Sequence, residues 1–260
     1  MKPRVLVLRA AGTNCEAETA YAFERFGARS ETAHVNRLIA REVTLADFDA
    51  LALPGGFSYG DDVGAGKVLA VELLHHLRDQ ILALVDKGGL VLGICNGFQT
   101  LVKTGVLPGI GARIGVQEAT IIDNDSNRYE DRWVVIESTA PKSVFLEPGV
   151  RMEVPVAHGE GKYVPKDDAV RRAVAEQGRI AFRYVARDAT NGEVRYPDNP
   201  NGSIDAVAGL VDSTGRVMGL MPHPERALFR VLHPDRHSTQ GPEEGDGARI
   251  FANAVKYLAG

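Results

Sequence analysis

The chain has 260 residues, 44% hydrophobic and 25% charged, with a formal net charge of −4. That is enough apolar material to bury a sizeable core, and a single domain over residues 1–260 is expected. No run of Lys or Arg marks a nucleic-acid or membrane-surface footprint, no stretch reaches the ~18 apolar residues of a membrane span, and the apolar run at 5–8 is too short for a signal peptide. Two cysteines, Cys15 and Cys95, are too few for a disulfide framework or a cysteine-rich zinc site. A cytoplasmic protein with neither nucleic-acid nor membrane partners fits these exclusions.

In chain order, residues 5–8 read as a buried strand, and Thr13 with Glu16 forms a capping box for a helix running to about Phe26, closed by Gly27. Residues 49–53 form a short strand that ends in Pro54-Gly55-Gly56, a loop signal. Leu74, Leu77, Ile81, Leu84 and Val85 recur at helical spacing, which predicts an amphipathic helix over about 67–86 with His75-His76 on its solvated side. The run LVLGICNGFQ (90–99) reads as a buried strand, a tight glycine-flanked turn holding Cys95, and a helix continuing through 98–102. Strands alternate with helices here, so the sheet is expected to be parallel and covered on both faces.

From about 119 the texture changes to shorter strands at 133–136, 180–185 and 206–211, an antiparallel extension of the same sheet. Asn191-Gly192 is a hairpin turn signal inside it. Residues 217–221 make one more buried strand before Pro222-His223-Pro224-Glu225, residues 237–246 form a polar loop, and a last helix runs over about 247–258.

A cysteine at a strand-to-helix turn lies at the positive end of a helix, which favours thiolate over thiol; a packed structural cysteine is the alternative. A cysteine nucleophile needs a base, and the base needs an orienting group. His223 and Glu225 fit, because they follow a buried strand and are separated by one proline, so both side chains can point the same way. The oxyanion formed by attack on an amide needs N–H donors: Gly55 and Gly56 end a neighbouring strand, and Asn96 is the residue after the cysteine. An ordinary strand-ending turn explains the glycines equally well.

The strings PGGFSYGDD (54–62), GICNGFQ (93–99), PVAHGEGKY (155–163), YPDNPNGS (196–203) and GLMPHPER (219–226) span most of the chain. Together they resemble the class I glutamine amidotransferases, and within them the glutaminase subunits of phosphoribosylformylglycinamidine synthase. The resemblance implies a flavodoxin-like α/β fold and a Cys-His-Glu triad of Cys95, His223 and Glu225 that cuts ammonia from glutamine through a cysteine thioester. It puts Gln99 in contact with substrate, the oxyanion glycines on Gly55 and Gly56, and a His-Gly loop over the glutamine backbone at His158, Gly159 and Glu160. It also implies an ATP-using synthetase partner that converts formylglycinamide ribonucleotide to formylglycinamidine ribonucleotide, and a small third subunit. No Gly-x-x-x-x-Gly-Lys-[Ser/Thr] loop is present, so ATP, and with it Mg, is expected on the partner, with no cofactor and no metal in this chain.

Cys15 follows the first strand and is the one rival nucleophile, but it lacks the glycine-flanked setting. Asp61-Asp62 reads as a solvated loop more readily than a metal site, and His233, Asp235 and His237 lie in too irregular a stretch for one. Asn199-Pro200-Asn201-Gly202-Ser203 is a turn, with family likeness suggesting a place near the mouth of the site. Two other readings stay open: a stand-alone cysteine γ-glutamyl hydrolase, and an inactive binding subunit.

Overall fold

The computed structural model describes residues 1–111, 114–188, 193–237 and 241–260. The chain opens with β1 (Arg4–Arg9), α1 (Glu16–Arg25), β2 (Arg29–His34) and a short α2 (Val35–Ile39). β3 (Ala50–Leu53) leads into a long helix, α-helical over α3 (Lys67–Glu72) and α4 (Arg78–Asp86), with one π turn at Leu73–Leu77 between them. β4 (Leu90–Ile94) and α5 (Asn96–Lys103) follow. The second half holds β5 (Ala119–Asp123), β6 (Glu130–Ser138), β7 (Arg151–His158), β8 (Glu160–Pro165), α6 (Asp168–Glu176), β9 (Ile180–Val185), β10 (Val207–Val211), β11 (Val217–Leu220) and α7 (Ala248–Ala259). No helix among the described residues is long and apolar enough to cross a membrane.

Nine strands form one sheet in the order β2-β1-β3-β4-β11-β10-β9-β6-β7. The first five are mutually parallel and the remaining pairings are antiparallel, as the change of texture near residue 119 predicts. β3, β4 and β11 are buried at every position, the mark of central parallel strands covered on both faces, whereas β7 alternates buried and accessible residues. β5 and β8 make a separate antiparallel pair.

Several local expectations give way to tertiary contacts. The capping box does not form: the Thr13 hydroxyl accepts the Ala10 N–H at 3.0 Å, Thr13 pairs with Gly56, and Cys15, the N-cap residue of α1, makes no side-chain cap. The Gly55 carbonyl has drawn this turn across, accepting the N–H groups of Asn14 and Cys15. The π turn rotates the helix face, so Leu73 is buried where the spacing predicts Leu74; His75 and His76 are exposed. The His-Gly loop that the resemblance puts at His158, Gly159 and Glu160 is the tight junction of two strands, β7 ending at His158 and β8 starting at Glu160. β2 carries one apolar residue in six and escapes a periodicity search, and the nine-residue α6 is a further element that the sequence reading does not include. The Asn191-Gly192 turn signal lies outside the described residues.

The centre of the sheet is shaped by missing side chains. A Cβ on Gly97 would sit 1.9 Å from the Leu53 carbonyl oxygen, one on Gly93 2.7 Å from the Gly97 oxygen, and one on Gly219 2.3 Å from the Phe98 ring. These glycines let α5 settle directly on β3, β4 and β11. Gly97→Ala is therefore expected to cost about 3 kcal/mol or more of stability, because neither backbone can retreat. Gly159→Ala, which meets nothing within 4 Å, should stay within about 0.5 kcal/mol. Urea unfolding midpoints of the two variants check this contrast.

Candidate active site

Because β1, β3, β4 and β11 run parallel, their carboxyl ends open on one edge of the sheet, where doubly wound folds bind ligands. Cys95 caps β4 with φ +50° and ψ −106°, and its N–H donates to the Leu220 carbonyl at 2.8 Å. Its Sγ lies 3.8 Å from the Ala157 carbonyl oxygen of β7. One strand over, His223 leaves β11 between two prolines, its N–H held by the Pro155 carbonyl at 2.8 Å. Its Nδ1 is 2.5 Å from Glu225 Oε1, and both side chains are buried. His223 Nε2 has no hydrogen-bond partner among the described residues. Burial alone would lower the imidazole pKa, but attraction to Glu225 and then to Cys95 outweighs it and holds His223 well above the ordinary value.

Gly55 fits between these groups only as glycine: a Cβ there would meet His223 Cε1 at 2.7 Å and Cys95 Cβ at 3.5 Å. Gly56, at φ +138°, presses against Gly12 and Asn14. Asn96 opens α5, so its N–H stands outside the intrahelical ladder. Its side chain straps the 57–66 loop to the helix, accepting the Ser58 N–H at 3.1 Å and donating to Asp61 at 2.8 Å and to Gln99 Oε1 at 2.9 Å. Gln99 Nε2 in turn donates to the Glu160 carbonyl at 2.5 Å. The Glu160 carboxylate accepts the Ala65 N–H, and the buried Lys103 ammonium donates to the Ala65 carbonyl at 2.6 Å. Burial raises the Asp61 pKa and lowers that of Lys103.

His158 is enclosed rather than open to the edge. Its Nδ1 is 3.1 Å from Asn124 Oδ1 and its Nε2 is 3.5 Å from Asn201 Nδ2. Burial, with His223 adding to it, pushes its pKa down to about 3. Asn201 also donates to the Tyr184 hydroxyl and accepts from Ser203, so the 199–203 turn is a buried strut behind His158.

Three neighbours are not marked by spacing as companions of the triad. Cys15 Sγ lies within 4.8 Å of a His223 ring nitrogen and a Glu225 oxygen, and Arg226 donates to it at 3.0 Å. Tyr129, 53% exposed, has its hydroxyl pKa raised by burial and then by Cys95. Cys15 is legible in the sequence as a cysteine just after the first strand, and Arg226 follows Glu225 directly within the GLMPHPER string, whereas Tyr129 precedes a strand that carries no motif and had no sequence signal. Of the residues weighed for a metal, Asp61 accepts from Asn96, and His233 accepts the Asp235 N–H at Nδ1 at 3.1 Å with its Nε2 2.9 Å from a Glu153 carboxylate oxygen.

A cysteine at a strand-to-helix elbow beside a buried His-Glu pair calls for comparison with known amidotransferases. The family model of the CobB/CobQ-like glutamine amidotransferase domain matches residues 2–258. The chain belongs to this family. Among glutamine amidotransferases it is 43% identical over 257 residues to the phosphoribosylformylglycinamidine synthase subunit PurQ of Dehalococcoides mccartyi, covering 98% of each chain. The PurQ subunit of Archaeoglobus fulgidus is 37% identical, covering 98% of this chain and 97% of the relative. A chain in the structure of PurLQS from Thermotoga maritima superposes with TM-score 0.73 at 31% identity, covering 99% of this chain and 100% of the other. The family expected from the five motifs is the family found.

The His158 environment has a consequence for acid stability. From pH 6.5 down to about 3 the unfolded chain binds a proton at this residue that the folded chain refuses, so falling pH removes about 1.4 kcal/mol per unit. His158→Gln keeps an amide between Asn124 and Asn201 but does not titrate. Between pH 6.5 and 5 the parent is expected to lose about 2 kcal/mol more than the variant in urea unfolding; equal losses would refute the assignment.

Proposed function

We propose that this chain is the glutaminase subunit of a phosphoribosylformylglycinamidine synthase, acting as a single amidotransferase domain over residues 1–260 in the cytoplasm. The observation that carries the chemistry is the buried His223–Glu225 pair, 2.5 Å apart with Nε2 unpartnered, beside a cysteine held on a strained elbow. Cys95 Sγ attacks the side-chain amide carbon of glutamine. The carbonyl oxygen gains the electron pair and is received by the N–H groups of Asn96, Gly55 and Gly56. His223 takes the thiol proton and delivers it to the nitrogen as the C–N bond breaks; ammonia leaves and a glutamyl thioester remains. Water, losing its proton to His223, then cleaves the thioester to glutamate and returns the thiol. Glu225 holds the Nδ1 side of the ring throughout.

Gln99, His158, Gly159 and Glu160 are assigned to the wall of the glutamine pocket. With its ring nitrogens turned to Asn124 and Asn201, His158 serves as a neutral strut, and Glu160 contributes its backbone, already gripped by Gln99. The ammonia passes to a synthetase partner that binds ATP and Mg and converts formylglycinamide ribonucleotide to formylglycinamidine ribonucleotide, with a small third subunit in the complex. The relatives named PurQ and the PurLQS assembly support this reading. This chain is taken to bind no cofactor of its own.

In the assembled complex, Cys95→Ala is expected to lower glutamine-dependent product formation by about 10³-fold or more while ammonia-dependent formation stays within about threefold. An electrophilic glutamine analogue should label Cys95 in the unmodified chain. Loss of both activities in a correctly assembled complex would contradict the division of labour. Full glutaminase turnover by the chain alone would instead favour a stand-alone hydrolase.

A further inference from the structure

Cys15 has no part in the chemistry above, yet it is fully buried against it. Its sulfur lies within 4.8 Å of His223 and Glu225, and a Cβ on Gly55 would touch it at 3.1 Å while touching His223 Cε1 at 2.7 Å. Its own bonding is arranged: Arg226 Nη2 donates to Sγ at 3.0 Å, and the thiol can donate to Asn14 Oδ1 at 3.1 Å. Arg226 is itself placed by Glu18 of α1, 3.8 Å away. Independently, His223 Nε2 is buried without a hydrogen-bond partner, while Nδ1 is committed to Glu225.

We propose that Cys15 is a positioning residue for His223, a neutral thiol oriented by Arg226 and Asn14 whose sulfur steadies the imidazole while the Cys95 sulfur is occupied in the acyl-enzyme. A nucleophilic role does not fit: burial raises the Cys15 pKa, its sulfur already accepts from Arg226, and it lacks the elbow that presents Cys95. A sulfur that accepts weakly from the ring favours the protonated imidazole needed to release ammonia. The inference rests on the glutaminase reading.

The test is glutamine hydrolysis by Cys15→Ala and Cys15→Ser in the assembled complex, with pH profiles. The groups facing His223 are Cys95 after β4, Cys15 before α1, Glu225 and Arg226 in its own turn, Tyr129 before β6 and His158 on β7. Cys15→Ala should lower kcat about tenfold with KM within about twofold, and move the alkaline limb to lower pH. Cys15→Ser, whose hydroxyl can accept from Arg226 and donate to Asn14, should recover kcat to within about threefold. A Cys15→Ala chain with parental kcat and pH profile overturns the proposal, as does a folded Cys15→Ser chain as impaired as the alanine variant. Should the alanine variant not fold, the serine variant decides alone. Analogue label on Cys15 in place of Cys95 would refute both this role and the assignment of the nucleophile; label on Cys95 with an unaffected Cys15→Ala chain refutes only this role.

Discussion

Cys95 is held at φ +50° and ψ −106°, a backbone conformation that costs a residue with a Cβ about 1–3 kcal/mol and persists only where its surroundings enforce it. The enforcement is visible on every side. The N–H of Cys95 is fixed to Leu220 of β11, and Gly93, Gly97 and Gly219 allow α5 to lie in backbone contact with β3 and β4. A Cβ at any of these glycines would push the helix off the sheet and let the elbow relax. Stability and chemistry therefore meet in the same few residues.

The strands beside β4 deliver everything the sulfur needs. The turn after β3 holds Gly55, whose missing side chain leaves room for the imidazole, and the turn after β11 holds His223. The antiparallel half completes the site: β7 supplies the Pro155 carbonyl that anchors the His223 backbone and the Ala157 carbonyl that faces Cys95. With the ring enclosed, the charge of Glu225 acts across little water and outweighs the cost of burying a cation. The His223–Glu225 pair is thus set by distance and by dryness together.

Around this centre the polar groups form two buried networks with different tasks. Asn96, Asp61, Gln99, Glu160 and Lys103 bind the 57–66 loop to α5, the helix that follows Cys95. His158, Asn124, Asn201, Ser203 and Tyr184 brace the end of β7. Most donors and acceptors here are satisfied internally, as low-dielectric surroundings require. Hence Gln99 and His158, which the family resemblance marks as pocket residues, are parts of the scaffold.

Local signals in the chain were sufficient for the central strands, the long helices and the residue types at their ends. Continuous apolar runs at 90–94 and 217–220, short and bounded by turn residues, read as buried strands, and the glycines around Cys95 permit the tight turn that follows. The edge strand β2, RSETAH, was not legible because one apolar residue in six leaves no periodicity to read, while α6 and β8 carry their patterns over too few residues to stand out from the loops around them. The order of strands, the failure of the Thr13 capping box, and the meeting of Cys15 with His223 across 208 residues of chain were settled only by tertiary structure. Sequence patterns report what each segment must bury. Which partner buries it, and which side chains then face one another across a glycine, depends on how parallel strands stack their carboxyl ends along one edge.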